Sequence, residues 1–369
     1  MLKLVESHLL SLDPYVPGLP IDTSSLITSW AKLGSNENCL GPSPFVLEAA
    51  SKSLKSTHIY PNAKRGELIA SICDYLSEYN IKASNVALGN GTSELIINLV
   101  RGLLSHQEKV LYGWPSFVMY RVAARIHGCQ EIAVPTNDHM AFDLEAMLYE
   151  ARRASLAPVK LVFLPNPNNP TGNYINQSTL DNFVNSLPED VVLVIDEAYF
   201  EYVVEKDYQS GLKYALNRPR TVVLRTFSKA FGLAGLRIGF AVGDEKIVDL
   251  LCRIRDPFNV NSIAQSAAIA ALKDPQHVCR SVQHNSLFMP KLKRVLGDAG
   301  FVTYPSVGNF VMVRPGSHMP DITEICRALY RKGIVIRALK DFGLEKYARI
   351  SVGTAQEIAQ LSEGLREIL

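Results

Sequence analysis

The sequence has little that could bind a metal or form a disulfide framework. Its 369 residues include six cysteines, and no two of them form a C-x-x-C pair. This scatter argues against a zinc site and indicates reduced thiols in a cytosolic protein. The six positions are Cys39, Cys73, Cys129, Cys252, Cys279 and Cys326.

Runs of like charge and long apolar runs are also missing. Lys and Arg number 38 and Asp and Glu number 36, which leaves a formal net charge of +2. So small an excess gives no electrostatic footprint for nucleic acid or for an anionic membrane. No stretch reaches the length of a membrane-spanning helix, and the start, MLKLVESHLL, breaks its apolar run too early for a signal peptide. We therefore expect a cytoplasmic protein with small-molecule ligands, and neither nucleic acid nor membrane as a partner.

Apolar, β-branched runs alternate with helical patterns between about residue 85 and residue 245. Seven runs are candidate strands: NVALG (85–89), KVLYG (109–113), EIAVP (131–135), KLVFLPNP (160–167), VVLVIDEAY (191–199), TVVLRTF (221–227) and RIGFAVG (237–243). Most lack polar alternation, which indicates burial on both faces of a parallel or mixed sheet. Together with the helical stretch TSELIINLVRGLLS, they predict a layered α/β fold.

A chain of this length is long for one hydrophobic core, so we expect one large and one smaller domain. Past residue 256, helical patterns such as SIAQSAAIAALK combine with short strand patterns such as FVTYPSVGNFVMVR, which indicates an α+β unit. The first forty residues show no clear element. We therefore predict an N-terminal arm and small-domain segment at 1–40, a large ligand-binding domain at 41–255 and a small C-terminal domain at 256–369.

The loop GNGTSE (89–94) joins a predicted strand to a predicted helix. Its glycines allow close approach of the backbone to a ligand, and Thr92 and Ser93 lie where the free N–H groups of the helix could bind an anion. A plain turn explains the same residues, and no Walker G-K-[ST] follows. The loop is therefore a candidate phosphate site only in combination with other features.

Two more polar segments follow predicted strands. Asp196 ends an apolar run in VIDEAYFEY, where a carboxylate needs a positive partner or several hydrogen bonds. It could cap a helix, bind a metal in the Walker-B manner, which the missing Walker loop disfavours, or face a protonated heterocyclic nitrogen. In NPNNPTG (166–172), Asn169 fits either an ordinary turn or a hydrogen bond to a ligand oxygen. Ligands of open α/β sheets bind at the carboxyl ends of strands, where both segments are expected.

Lys229 lies among small and apolar residues in TFSKAFGLAGLRIGF (226–240). Taken alone, such a lysine is a solvated charge. Combined with an anion loop, a buried aspartate and Arg237, it fits a lysine that forms an imine with a carbonyl cofactor. Arg237 and a desolvated setting would both lower the pKa of the amine, because each disfavours another positive charge.

Nine segments resemble the fold-type I pyridoxal-phosphate aminotransferases, and most closely their histidinol-phosphate branch. They are DPYVPG, LGSNENCLGPSP, YPNAKRGEL, GNGTSE, PSFVMY, NPNNPTG, DEAYFEY, TFSKAFGLAGLRIGF and ARISVG, between residues 13 and 353. The resemblance implies the three-layer α/β fold of the pyridoxal-phosphate-dependent transferases, with a mainly parallel mixed sheet and a smaller α+β domain. Cys39 departs from the family, which commonly has proline there, and YGWPSF differs from the usual lead into the ring-stacking residue.

The resemblance also implies roles toward pyridoxal 5′-phosphate. Lys229 would form the internal aldimine and carry protons, and Asp196 would keep the pyridine nitrogen protonated. Asn169 and Tyr199 would hydrogen-bond the 3-oxygen of the ring, and Phe117 would stack on its face. The residues implied for the phosphate are Thr92, Ser93, Thr226, Ser228 and Arg237, with Tyr60 from a neighbouring subunit. A homodimer with shared active sites is therefore implied.

Four positions are implied for substrate: Tyr15, Asn36, Arg337 and Arg349. Arg349 begins an apolar strand pattern, where a surface salt bridge is the plain interpretation. In the family pattern it would hold the carboxylate of glutamate or the phosphate of histidinol phosphate, because a guanidinium accepts either anion. Arg337 would supply a second charge for the phosphate, unless it is an ordinary strand arginine.

The implied reaction is a ping-pong transamination of histidine biosynthesis. It converts histidinol phosphate and 2-oxoglutarate to imidazole-acetol phosphate and glutamate. Aromatic amino acid aminotransferases and an O-phosphothreonine decarboxylase use a similar architecture, and both stay open as alternatives. A cofactor-binding module without turnover is a further alternative, against which the retained lysine counts.

Overall fold

The computed structural model describes residues 6–10, 12, 18–22, 27–62 and 66–369. The strands of this part of the chain are β1 Ala31–Lys32, β2 Val86–Gly89, β3 Lys109–Trp114, β4 Gln130–Pro135, β5 Val159–Pro165, β6 Val192–Asp196, β7 Thr221–Thr226, β8 Gly239–Gly243, β9 Phe301–Thr303, β10 Phe310–Pro315, β11 Ile334–Val335, β12 Arg337–Leu339 and β13 Leu344–Ser351. The helices are α1 Ser7–Leu10, α2 Pro44–Leu54, α3 Gly66–Tyr75, α4 Gly91–Leu103, α5 Met119–His127, α6 Leu144–Arg152, α7 Gln177–Ser186, α8 Leu212–Ala215, α9 Glu245–Ile254, α10 Ser262–Leu272, α11 Pro275–Asp298, α12 Ile322–Tyr330 and α13 Ala355–Ile368. None of these helices is both long and apolar enough to cross a bilayer.

A seven-stranded mixed sheet lies at the centre of the larger part of the molecule. Its strand order is β2-β8-β7-β6-β5-β3-β4. The five strands from β7 to β4 run parallel to their neighbours, whereas β8 is antiparallel to both β7 and β2. Each of the seven predicted strand segments coincides with one strand of this sheet. The segment VVLVIDEAY forms a strand only as far as Asp196, because the chain then leaves the sheet in a 3₁₀ turn at Phe200–Tyr202.

Both faces of the sheet are buried, so it forms the middle of three layers. In β6, Leu193 and Ile195 enter one apolar core, whereas Val192 and Val194 enter the core on the other side. Helices α3 and α10 contribute to the first core, and α4, α5 and α9 contribute to the second. Successive strand residues point to opposite faces, so burial of both faces removes the polar alternation and confirms the layered α/β prediction.

A four-stranded antiparallel sheet, β12-β13-β10-β9, forms the base of the smaller unit. Its core is filled from α11, α12 and α13. The N-terminal segment joins this core through Ala31 and Leu33, because β1 pairs in parallel with β11. The sequence showed no clear element there, since a two-residue strand has no periodicity to detect.

Arg349 was predicted to begin a strand, but it lies near the end of β13, which starts five residues earlier at Leu344. The charged residues Glu345 and Lys346 near the start of β13 interrupt the apolar pattern and masked its beginning. Val260 and Ala264, just past the predicted boundary at residue 255, pack in the core of the large sheet. The division at 1–40, 41–255 and 256–369 stays a prediction.

Candidate active site

A cavity opens at the carboxyl ends of β5, β6 and β7, beside the start of α4, and the smaller unit supplies its remaining wall. It encloses about 1110 Å³ of empty space, including its open mouth. Thirteen of the predicted site residues line it: Asn36, Thr92, Ser93, Phe117, Asn169, Asp196, Tyr199, Thr226, Ser228, Lys229, Arg237, Arg337 and Arg349. The strand ends converge here because neighbouring parallel strands end at the same edge of the sheet.

Two predicted residues are not in this group. Tyr15 lies outside the described residues. Tyr60 lies away from the cavity of its own chain, with 77% of its surface exposed, and its ring stacks on Phe258 at a centroid distance of 4.6 Å. Tyr60 is therefore not part of the cavity that the described residues of this chain form.

Lys229 lies just after β7 with its amine inside the cavity. Its Nζ donates a hydrogen bond to the Ser35 carbonyl oxygen at 3.3 Å and lies 5.5 Å from the centre of the Tyr199 ring. Burial lowers the pKa of Lys229 to about 7, and the charges of Arg349 and Arg237 act in the same direction. The amine is therefore largely neutral above pH 7 and able to act as a nucleophile or a base.

Asp196 is the last residue of β6 and is 4% exposed. Its Oδ2 accepts a hydrogen bond from Tyr120 at 2.9 Å, and its Oδ1 accepts one from the Ala198 N–H at 3.2 Å. Burial raises the pKa of Asp196 to about 6, and these two hydrogen bonds oppose the rise. The carboxylate is therefore ionised at neutral pH and can face a cationic group of a ligand.

Tyr120 lines the cavity, which the sequence did not indicate. It lies on α5, is fully buried, and stacks on Phe163 at a centroid distance of 4.6 Å. A tyrosine on the apolar face of a helix is read as a core residue. Its hydroxyl contact with Asp196 depends on packing of α5 against the sheet, which the local sequence does not encode.

The start of α4 forms an anion-binding cradle. The side chain of the N-cap residue Asn90 accepts a hydrogen bond from Val260 N and does not cap the helix, and Thr92 and Ser93 of the first turn line the cavity. Gly91 has a φ of +73°, and a Cβ at this position would lie 2.6 Å from Arg237 Nη2. Arg237 also donates a hydrogen bond to Ser228 Oγ at 3.4 Å. Guanidinium, hydroxyl and helix N-terminus thus converge on a space that suits a phosphate.

Residues predicted for cofactor and for substrate contact one another directly. Asn36 Nδ2 donates a hydrogen bond to the Tyr199 hydroxyl at 2.9 Å. Arg349 donates to Asn169 Oδ1, and its Nη2 donates to the Gly34 carbonyl at 2.9 Å. The two predicted sets therefore form one continuous wall. Arg349 is 7% exposed, which excludes the surface salt bridge as its explanation.

Arg337 lies on the same side of the cavity as the first residue of β12 and is 8% exposed. Its Nη2 forms an ion pair with Asp341 Oδ2 at 2.9 Å. Phe342 lines the cavity beside it and stacks on Trp114 at a centroid distance of 6.4 Å. The sequence indicated Arg337 but not Asp341 or Phe342, because the short 3₁₀ turn that carries both has no detectable period.

Comparison with known proteins gives one consistent result. Residues 28–365 match the family model described as aminotransferase class I and II. The chain is 39% identical to the histidinol-phosphate aminotransferase of Anaeromyxobacter sp. (strain Fw109-5), over 100% of both chains. It is 37% identical to the histidinol-phosphate aminotransferase of Moorella thermoacetica, over 98% of this chain and 92% of that protein.

A solved structure extends the similarity to three dimensions. The crystal structure of histidinol-phosphate aminotransferase from Sinorhizobium meliloti in complex with pyridoxal 5′-phosphate superimposes with a TM-score of 0.88. The two sequences are 28% identical, and the match covers 100% of this chain and 99% of that one. The fold predicted from the resemblance is therefore confirmed. The chain belongs to the class I and II aminotransferases of fold type I.

Proposed function

We propose that this chain is a pyridoxal-phosphate-dependent transaminase that converts histidinol phosphate and 2-oxoglutarate to imidazole-acetol phosphate and glutamate. The observation that carries the proposal is the placement of the Lys229 amine in one cavity with a buried carboxylate, Asp196, and the Gly91–Arg237 cradle. Full-length relatives named histidinol-phosphate aminotransferase, at 37–39% identity, support the choice of substrate.

The residues present fit pyridoxal 5′-phosphate. The cradle at Gly91 has room only because no Cβ is there, and it offers Arg237, Ser228 and the N-terminus of α4 to a phosphate. Phe117 lines the same cavity and would cover the ring. When bound, the cofactor supplies an aldehyde that condenses with amines and a ring that accepts an electron pair.

The protein contributes an acid–base group and two orienting groups. Lys229 Nζ, whose pKa is lowered to about 7, would accept and return a proton during amino transfer. Asp196, ionised and fixed by Tyr120, would hold a protonated ring nitrogen. Tyr199, itself fixed by Asn36, would hydrogen-bond the ring oxygen together with Asn169.

Two arginines on the small-unit side of the cavity support an anionic substrate. Arg349 and Arg337 are both nearly buried, and both line the space beyond Lys229. A guanidinium accepts a carboxylate or a phosphate with similar geometry, so one pocket could serve glutamate and histidinol phosphate in turn. Binding of the substrate between the predicted domains 41–255 and 256–369 is part of this proposal.

A homodimer in the cytoplasm completes the proposal. Tyr60 is implied for the cofactor phosphate but lies outside the cavity of its own chain. Large apolar side chains are exposed on and after α2, and a second copy of the chain would cover them: Phe45, Leu47, Leu54 and Ile59 are 56–62% exposed. Exposed apolar groups of this kind mark association surfaces.

The first experiment is a half-reaction with purified protein and pyridoxal 5′-phosphate. Addition of histidinol phosphate should bleach the visible band of the bound cofactor, and 2-oxoglutarate should restore it. Unphosphorylated histidinol should react more weakly, because it offers no dianion to Arg337 and Arg349. The Lys229→Ala variant is the control, since it keeps the cradle but should show no such band.

Other outcomes would identify the alternatives. A response to phenylalanine but not to histidinol phosphate would indicate an aromatic amino acid aminotransferase. Steady release of CO₂ from O-phosphothreonine would indicate a decarboxylase. Cofactor binding without amino transfer to any 2-oxo acid would indicate a binding module.

A further inference from the structure

Behind the cavity wall lies a buried cluster of charges, formed by Arg225, Glu197 and Glu201. Their side chains are 2%, 0% and 4% exposed. Arg225 Nε lies 2.7 Å from Glu197 Oε2, and its Nη1 lies 3.6 Å from Glu201 Oε1. The Arg225 guanidinium also covers the Phe200 ring at 3.5 Å. Burial of ionised groups is costly unless they are paired, and burial raises the pKa of Glu201 to about 7 although the Arg225 charge opposes the rise.

The cluster lies on the face of the sheet opposite to the side chains that line the cavity. Asp196 pairs with Leu224 in the parallel ladder, and the Glu197 N–H donates to the Leu224 carbonyl at 2.9 Å. Because side chains alternate along a strand, Asp196 points to the cavity and Glu197 to the other side. The same alternation separates Thr226, which lines the cavity, from Arg225.

Arg225 contacts the turn after β6 on both sides of Ala198 and Tyr199. It contacts Glu197, Phe200 and Glu201. Ala198, whose N–H is bonded to Asp196, and Tyr199 are the two residues between those contacts, and both line the cavity. One guanidinium therefore contacts both ends of the turn that carries Ala198 and Tyr199 and that begins directly after Asp196.

The same cluster reaches two more parts of the site. Arg225 precedes Lys229 by four residues on the segment that leaves β7. The Tyr208 hydroxyl lies within hydrogen-bonding distance of Glu197 Oε1, at 3.2 Å, and of the carbonyl oxygen of Asn166, just after β5, at 2.8 Å. Glu197 also accepts hydrogen bonds from Ser210 and from the Gly211 N–H. These contacts connect the ends of β5, β6 and β7 on the side of the sheet that faces away from the cavity.

We propose that Arg225, acting through Glu197 and Glu201, is a positioning residue that sets the relative placement of Asp196, Tyr199 and Lys229 around the cofactor. It touches neither cofactor nor substrate. The inference rests on the proposed function, because it concerns how the cofactor is held. It predicts that loss of Arg225 changes cofactor affinity and spectrum, and not only the stability of the fold.

The test compares Arg225→Met with a matched control, Arg218→Met. Arg218 lies at the opposite ends of β6 and β7, where its guanidinium donates to the carbonyls of Pro188 and Val191 at 2.9 Å. Both variants lose a guanidinium that joins the β6 segment to the β7 segment, so both should lower the melting temperature. We expect Arg225→Met to raise the Kd for pyridoxal 5′-phosphate about tenfold and to move the absorbance maximum of the bound cofactor. Arg218→Met should leave both within about twofold of wild type.

Two milder variants keep the test decisive if Arg225→Met does not fold. Arg225→Lys retains the charge but loses the fork that joins Glu197 to Ser210. Glu197→Gln retains one acceptor oxygen, which can serve the Gly211 N–H, but it loses the charge that Arg225 binds and replaces the second acceptor with an NH2 donor. Both should weaken cofactor binding in the same direction as Arg225→Met, by about threefold to tenfold, with kcat reduced more than substrate KM.

The outcomes separate this inference from the proposed function. If wild type binds and transaminates, but the Arg225 and Glu197 variants keep its cofactor Kd, spectrum and kcat, then the cluster only stabilises the fold. If Glu197→Gln behaves as wild type while Arg225→Met is impaired, action through Glu197 is wrong. If wild type itself binds no pyridoxal 5′-phosphate, the proposed function fails instead.

Discussion

At the scale of single residues, Lys229 and Asp196 depend on the same property, which is removal from water. Burial shifts the pKa of each toward neutrality, from above for the lysine and from below for the aspartate. The pKa is about 7 for Lys229 and about 6 for Asp196, so the two values are close together. Above pH 7 the pair is therefore a neutral amine and a carboxylate. That combination suits a lysine that must react with an aldehyde while an acid stays ionised.

The pH dependence of cofactor binding tests whether burial lowers the pKa of Lys229. The neutral amine is the reactive form, and it forms as pH rises through about 7, the pKa of Lys229. The rate at which protein freed of cofactor takes up pyridoxal 5′-phosphate into a visible-absorbing form should therefore rise through pH 7 and level off near pH 8. An ordinary lysine would show the rise near pH 10, and such a result would contradict the buried setting. Lys229→Ala should show no uptake of this kind at any pH.

At the scale of elements, the start of α4 carries the clearest requirement for one residue type. Gly91 has a positive φ, which costs any other residue about 1–2 kcal/mol. Arg237 has a positive φ as well, at +55°, and its guanidinium occupies the volume that a side chain at Gly91 would need. The position of the Arg237 guanidinium at the start of α4 therefore depends on glycine at position 91.

Gly91→Ala should weaken cofactor binding about tenfold or more, because the new Cβ would displace Arg237 from the phosphate. The Kd for pyridoxal 5′-phosphate, titrated by its absorbance, measures the effect. Gly235→Ala is the control, in the turn that precedes Arg237, since a Cβ there would meet no heavy atom within 4 Å outside its own turn. Equal Kd values for the two variants would mean that the phosphate does not bind in this cradle.

The sequence predicted elements and site residues unequally. The strands from Val86 to Gly243 were predictable, because burial on both faces leaves uninterrupted apolar runs. Lys229 and Asp196 were predictable as strand-end polar residues, and the family resemblance assigned them roles. Tyr120 and Arg225 were not, because their importance comes from contacts between elements far apart in the chain. Arg225 in particular reads as part of an ordinary strand, TVVLRTF.

At the scale of the whole molecule, shared active sites are the testable consequence of the proposed dimer. Tyr60→Ala and Lys229→Ala each damage both sites of a homodimer. In a mixed dimer, however, the site with an intact Lys229 would receive an intact Tyr60 from its neighbour. Co-expression should therefore restore about a quarter of the wild-type sites by random pairing. Activity at limiting pyridoxal 5′-phosphate measures the recovery, and failure to recover would contradict the donation of Tyr60 to the neighbouring subunit's site.

The contacts that form the cavity wall also determine the stage of synthesis at which the protein can bind its cofactor. Asn36 N donates to Ser351 Oγ, and Arg349 donates to the Gly34 carbonyl; each contact joins residues 315 positions apart. At usual rates of translation, a chain of 369 residues takes roughly 20 to 70 s to complete. Lys229 would leave the ribosome well before Arg349, so for many seconds its amine would lack the wall that buries it and lowers its pKa. Stable capture of cofactor is therefore an event of the finished chain.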